Sequence, residues 1–196
     1  MKTLYLGIDP PQNSAYYHYP LIKTVFREPW KESIEALEEC SHLIFTSKNG
    51  IRAVSTHLKS KPAFAVGKQT AHYLRQYGFQ DILFPKRETA EGLVELLDLQ
   101  FFNQPYFVWP HSALSRTVIS DYLLAKRLRF HAFIAYDTYS LASLPKPDLK
   151  EYEEIIFTSP STVISFLEHF GKPPSHLKLT AIGPITAESI LLNFLK

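Results

Sequence analysis

The chain has one cysteine, Cys40, and one methionine among its 196 residues. A single thiol excludes a disulfide framework and a thiolate metal cluster, and it fits a reducing compartment. Glycine is scarce as well. The seven glycines never come closer than the eleven positions between Gly67 and Gly78, so neither a G-x-G-x-x-G turn nor a phosphate-binding P-loop is present. There is no G-x-S-x-G elbow for a serine nucleophile. The eight histidines avoid the close spacings of zinc sites, so no metal site is expected. A net charge of +2 is too balanced for a groove that releases counterions from nucleic acid. No apolar run approaches the roughly 18 residues of a membrane helix, and MKTLYLGIDPPQ lacks the apolar core and cleavage site of a secretory signal. These absences lead us to expect a cytoplasmic α/β protein, without metal, nucleic acid or membrane as partner.

What is present is an alternation. TLYLGI, LIKTVF, HLIF, AFAV, YFVW, FHAFIAY, EIIF and LTAI read as strands. HLIF and EIIF are apolar on both faces, as strands of a covered parallel sheet are. After EIIFTS, Val163, Phe166, Leu167 and Phe170 fall on one helical face, and Ala187, Ile190, Leu191, Phe194 and Leu195 repeat the pattern. Tyr73, Leu74 and Tyr77 give a helix closed by Gly78. Strand followed by helix, many times over, predicts a doubly wound α/β architecture.

The chain also echoes itself. LIFTSKNGIRAV (Leu43–Val54) matches IIFTSPSTVISF (Ile155–Phe166) at an offset of 112 residues, and AVGKQTA (Ala65–Ala71) matches AIGPITA (Ala181–Ala187) at 116. Two collinear matches at nearly one offset read as duplication of a βαβα unit. The segment before the first FTS holds two strands without a helix between them, and the segment after the second AIG is short of a lobe. Both shortages are met if the N-terminal strands complete the C-terminal lobe. The expected domains are then residues 1–23 with 138–196, an abbreviated lobe, and residues 24–137. The chain crosses between them near YPLIKTVF and FIAYDTY in a two-stranded hinge, and the cleft between the lobes is the expected site.

Four βα turns supply the candidate groups: Ser47-Lys48-Asn49, Gly67-Lys68 with Thr70, Ser159-Pro160, and Gly183 with Thr186. Each places hydroxyls or bare amides at a helix start, where carboxylates and phosphates bind. One such cap taken alone is most often only a cap; four in one cleft suit a large polyanion. Lys48, Lys68 and Arg116 offer positive charge, although such residues usually lie on solvated faces. WPHSALSR reads as a strand-end loop with His111, Ser112 and Ser115 available. Tyr136 falls at the second crossing and by itself reads as a packed hinge aromatic. Cys40 has no cationic neighbour in sequence.

These motifs, with AEGLVELL and AYDTY in the same order, resemble the uroporphyrinogen-III synthase family from about Thr3 to Leu195. The resemblance implies two α/β lobes joined by a two-stranded ladder. The implied reaction is cyclisation of the linear tetrapyrrole hydroxymethylbilane, with inversion of its last ring and loss of water. It implies no cofactor; a monomer is expected, though not from the resemblance. It further implies that Tyr136 assists departure of the hydroxyl. By the same resemblance Thr46, Ser47, Gly67, Lys68, Thr70, Thr158, Ser159, Ser161, Gly183 and Thr186 contact the substrate; Lys48, Asn49, Arg116 and Pro184 are expected to contact it from their place at or near the turns and not from the resemblance. The chain departs from the family pattern at GIDPPQNSAYY, where an arginine-containing turn and a helix are usual. A non-catalytic two-lobed binder of a polyanion, and an interaction module built on a degenerate lobe, are the competing readings.

Overall fold

The structure, a computed structural model, describes residues 2–141 and 144–195. The strands are β1 (Thr3–Tyr5), β2 (Tyr16–His18), β3 (Ile22–Phe26), β4 (His42–Phe45), β5 (Ala63–Ala65), β6 (Ile82–Leu83), β7 (Tyr106–Ser112), β8 (Arg129–Ser140), β9 (Glu154–Phe157) and β10 (Lys178–Ala181). The α-helices are α1 (Lys31–Glu39), α2 (Lys48–Ala53), α3 (Lys68–Gln76), α4 (Ala90–Asp98), α5 (Val118–Ala125), α6 (Pro160–Phe170) and α7 (Pro184–Phe194). The chain divides into a continuous unit, Val25–Asp137, and a split unit made of Met1–Thr24 and Thr138–Lys196.

In the continuous unit the sheet order is β3-β8-β7-β4-β5-β6. The pairs β7/β8, β4/β7, β4/β5 and β5/β6 are parallel. Leu43, Ile44 and Phe45 of β4 are all buried, because helices cover both faces of the sheet. Leu43 and Phe45 pack in one core with Leu37, Ile51 and Leu74, and Ile44 packs in a second with Leu93, Phe107 and Leu123. One apolar strand therefore serves two cores, which explains its lack of alternation. Gly78 follows α3 with φ +82°, the left-handed conformation that ends a helix at low cost for glycine.

In the split unit the order is β10-β9-β1-β2, all parallel. The N-terminal strands therefore do complete the C-terminal sheet, with Leu4 opposite Ile155. Its core gathers Leu4, Leu21, Ile155, Phe157, Val163 and Phe166. The boundaries between units fall within β3 and β8, neighbours in the larger sheet.

Several local expectations need correction. The Pro- and Tyr-rich stretch after β1 contains a further strand, β2. The two-residue β6 has no signal in the residue pattern. Tyr77 is exposed rather than packed on the apolar side of α3. WPHSALSR is not a loop from its start: β7 continues through His111 to Ser112, paired to β8 with a register shift between those two residues. A strand can carry Pro110 there because the pairing of β7 with β4 stops at Val108, so no ladder N–H toward β4 is required of residue 110. The apolar face expected of α7 is also divided. Ile190 and Phe194 are buried, whereas Leu191 and Leu195 are exposed, because β10 is the outermost strand and little lies beyond it.

Candidate functional site

All four candidate turns lie where a strand's carboxyl end meets a helix, the end at which open α/β sheets bind ligands. Extended backbone at Ser47 and Ser159 carries each serine side chain back over the first helical turn. Ser47 Oγ accepts from Gly50 N at 3.2 Å. Ser159 Oγ accepts from Thr162 N at 3.3 Å, and Ser159 N donates to Thr162 Oγ1 at 3.3 Å, a reciprocal capping box. Ser159 and Ser161 share a 2.8 Å hydroxyl contact. Thr158 is half-buried beside them. Gly67 and Gly183 cap α3 and α7 with backbone alone. Pro184 takes the first helical position of α7, where its missing N–H costs nothing.

In the continuous unit, Tyr136 is joined to the first turn. Its phenol lies 2.6 Å from Ser47 Oγ and the residue is only 6 % exposed. Burial raises the phenol above its ordinary value, while hydrogen bonds to Ser47 and Ser112 pull it partly back. Thr46 Oγ1 accepts from Trp109 Nε1 at 3.3 Å, and Asn49 Oδ1 accepts from Arg52 at 3.5 Å. Lys48 is exposed at the first position of α2.

Other candidates are engaged within the protein. Lys68 N, at the start of α3, donates to Glu88 Oε2 at 3.1 Å. A carboxylate does sit at this helix start, but it belongs to the chain itself. Arg116 pairs with Glu91, with Nη2 at 3.2 Å from Oε2, and holds that carboxyl down to about 2. Thr70 and Thr186 occupy the third helical position and are 5 % and 4 % exposed, so little of either side chain is open to a ligand. Cys40, without a cation nearby in sequence, has one in space: Lys61 Nζ lies 3.6 Å from its sulfur. Burial nonetheless pushes the thiol up.

Sequence reasoning names Ser112 without its place in this neighbourhood and misses Glu88. Ser112 reads as part of a loop, and only its pairing opposite Tyr136 reveals its position. Glu88 has no local signal, because its partner lies 20 residues earlier. A cavity of about 260 Å³ lined by His42, Phe64 and Phe102 lies at the amino ends of β4 and β5, away from all of these groups.

Parallel sheets bearing a duplicated, hydroxyl- or amide-capped βα turn define a two-unit α/β protein with anion-suited helix starts. A family model described as uroporphyrinogen-III synthase HemD matches residues 15–194, and the chain belongs to that family. It is 28 % identical over 211 residues to the porphyrin biosynthesis protein HemD of Ruminiclostridium josui, covering 96 % of this chain and 40 % of that one. The chain thus spans about two fifths of that curated relative. Its fold is similar to the uroporphyrinogen-III synthetase of Helicobacter pylori 26695, with TM-score 0.67, 20 % identity, and coverage of 97 % of this chain and 88 % of that one. A mutant uroporphyrinogen III synthase from the extremely thermophilic bacterium Thermus thermophilus gives TM-score 0.66 and 16 % identity, covering 96 % and 87 %. No helix among the described residues is long and apolar enough to cross a membrane.

Proposed function

We propose that the chain cyclises hydroxymethylbilane to uroporphyrinogen III, inverting the terminal pyrrole ring and releasing water without a cofactor. The observation that carries this reading is the Tyr136 phenol held 2.6 Å from the serine that opens α2, in a chain of this family. Loss of the substrate's hydroxyl needs a proton donor and leaves an extended electrophile. That electrophile is attacked at an already substituted pyrrole carbon, giving a spiro intermediate that fragments and recloses. The bilane closes unaided to the symmetric isomer, so the protein must select a geometry as well as accelerate the reaction. The reading assigns the turns of both units to one substrate. Amides and hydroxyls at the starts of α2, α6 and α7 grip its acetate and propionate groups, helped by the partial positive charge there, while the start of α3 is held by Glu88.

The test is to generate the bilane enzymatically in the presence of the chain and resolve the porphyrin isomers after oxidation. Excess isomer III is expected. Isomer I alone, with the bilane protected from closure, identifies a binder that lacks the chemistry. Isomer I at the unassisted rate overturns both readings.

A further inference from the structure

In the split unit, α6 carries two buried polar side chains, Ser165 and His169, 3 % and 8 % exposed, and the proposed chemistry uses neither. Four residues apart, they share one face of the helix. Both meet the stretches by which the chain leaves this unit and returns to it. The outgoing stretch passes through Tyr19 and Leu21 into β3, and the returning one contributes Ser140, Leu141, Leu144 and Lys146 after β8 crosses the boundary. Ser165 Oγ donates to Leu21 O at 3.2 Å and shares a hydrogen bond with the Ser140 hydroxyl. One turn further on, His169 Nε2 lies 3.0 Å from Tyr19 Oη, which also donates to Leu144 O at 3.4 Å. The Tyr19 ring stacks on His169 and meets Phe170 edge-on. The two stretches bond each other as well, Leu141 N donating to Leu21 O at 2.8 Å. Lys146 Nζ donates to His169 O and so caps the carboxyl end of α6. Tyr19 and Leu21 are buried, and a polar group that loses its partner there costs more than one left in water.

We infer that Ser165 and His169 are positioning residues for the cyclisation: they fasten both crossing stretches to the helix whose first turn holds Ser159 and Ser161. The role in cyclisation rests on the cyclase reading, which assigns turns of both units to one substrate. The bilane closes to the symmetric isomer whenever its ends can take that arrangement, so inverted closure demands that the groups gripping it be held in one geometry. Fixing both crossings to α6 removes freedom from the chain before the substrate arrives, and that order need not be created on binding. Neither residue has to touch the bilane. α6 is the shared element, with the Ser159 turn at its amino end and both crossings bound along its later turns. Burial, with Lys146 beside it, favours the uncharged form of His169, which suits an imidazole bonded to a neutral phenol.

The experiment compares Tyr19→Phe and Ser165→Ala, each of which deletes one hydroxyl and leaves the carbon frame in place, by two readouts. The first is amide exchange at Leu141, whose N–H spans the two stretches. It is expected to quicken about tenfold in each variant while the amides of β4 keep the wild-type rate. The second is the ratio of isomer III to isomer I, measured with rising amounts of protein until it levels off. At that plateau all the bilane is bound, so isomer I forms on the protein and a shortage of folded chain no longer counts. The plateau ratio is expected to fall about tenfold in both variants. His169→Phe should match Tyr19→Phe, and the double variant should be no worse than either alone. Exchange that quickens with an unchanged plateau ratio overturns the positioning role, because the bonds then serve only the fold. Unchanged exchange in both variants overturns the fastening itself. A wild-type protein that makes no excess isomer III, with variants that still quicken exchange, keeps the fastening and overturns the cyclase reading.

Discussion

The same β-turn-helix element is built twice, and the copies diverge where they meet water. On α3 the exposed positions are Lys68, Gln69, His72, Arg75 and Gln76; on α7 they include Leu191 and Leu192, 55 % and 52 % exposed. At an offset of 116, Leu191 and Leu192 stand where Arg75 and Gln76 stand in the first copy. The surrounding sheets differ in the same place. β5 has β6 beside it, whereas β10 is the outermost strand of its sheet. Ala71 on α3 is fully buried, and its counterpart Ala187 is exposed. The caps and the inward-facing residues are retained in both copies, so local chemistry alone specifies the element. How much of its outer face is covered depends on what the rest of the chain packs against it.

The largest expected effect tests whether the split unit depends on its single core. Phe166 is fully buried and packs against Phe157, Phe170 and Phe194. Phe166→Ala should cost about 3–5 kcal/mol, read by chemical denaturation, and hydrogen exchange should place the loss in the split unit before the continuous one. Equal loosening of both units would show that they unfold together. Next in size is the cap that distinguishes the two FTS turns. Ser159→Ala removes the side-chain arm of a capping box and should cost about 1 kcal/mol. A negligible change would make the box ornamental.

A pH dependence follows from three histidines. Burial lowers His42 and His111 in the continuous unit and His169 in the split unit. A histidine lowered in the folded state binds fewer protons there than in the unfolded chain. Stability is therefore full above the ordinary value of 6.5 and declines as pH falls from there toward the folded values. Denaturation midpoints should drop as the pH is taken from above that ordinary value to about one unit below it, with exchange quickening in both units. A flat profile would mean that the rings titrate alike in both states. The smallest effect is expected from giving α7 the surface of α3. Leu191→Arg with Leu192→Gln should change stability by less than about 0.5 kcal/mol. A larger loss would place those leucines in a packed contact and break the comparison.

Much of this was legible in the sequence. HLIF and EIIF announced covered parallel strands, Ser159-Pro160 a helix start, Gly78 a helix end, and the offset repeats a duplicated unit. These signals act over a few residues, through side-chain periodicity, capping and backbone sterics. The misses share one cause. β6 is too short to show a period, β2 sits among turn-forming residues, and β7 runs through a proline at a point beyond its pairing with β4. Each became a strand through its partner.

The order of residues determined the strands, the helices, their caps and the doubling of the unit, because those depend on neighbours a turn away. Only the tertiary structure decided that β1 lies beside β9, that Glu88 reaches the start of α3, and that Tyr136 meets a serine 89 positions earlier. Pairings over such separations are selected by how buried faces fit together across the whole chain, and no short stretch of sequence encodes that fit.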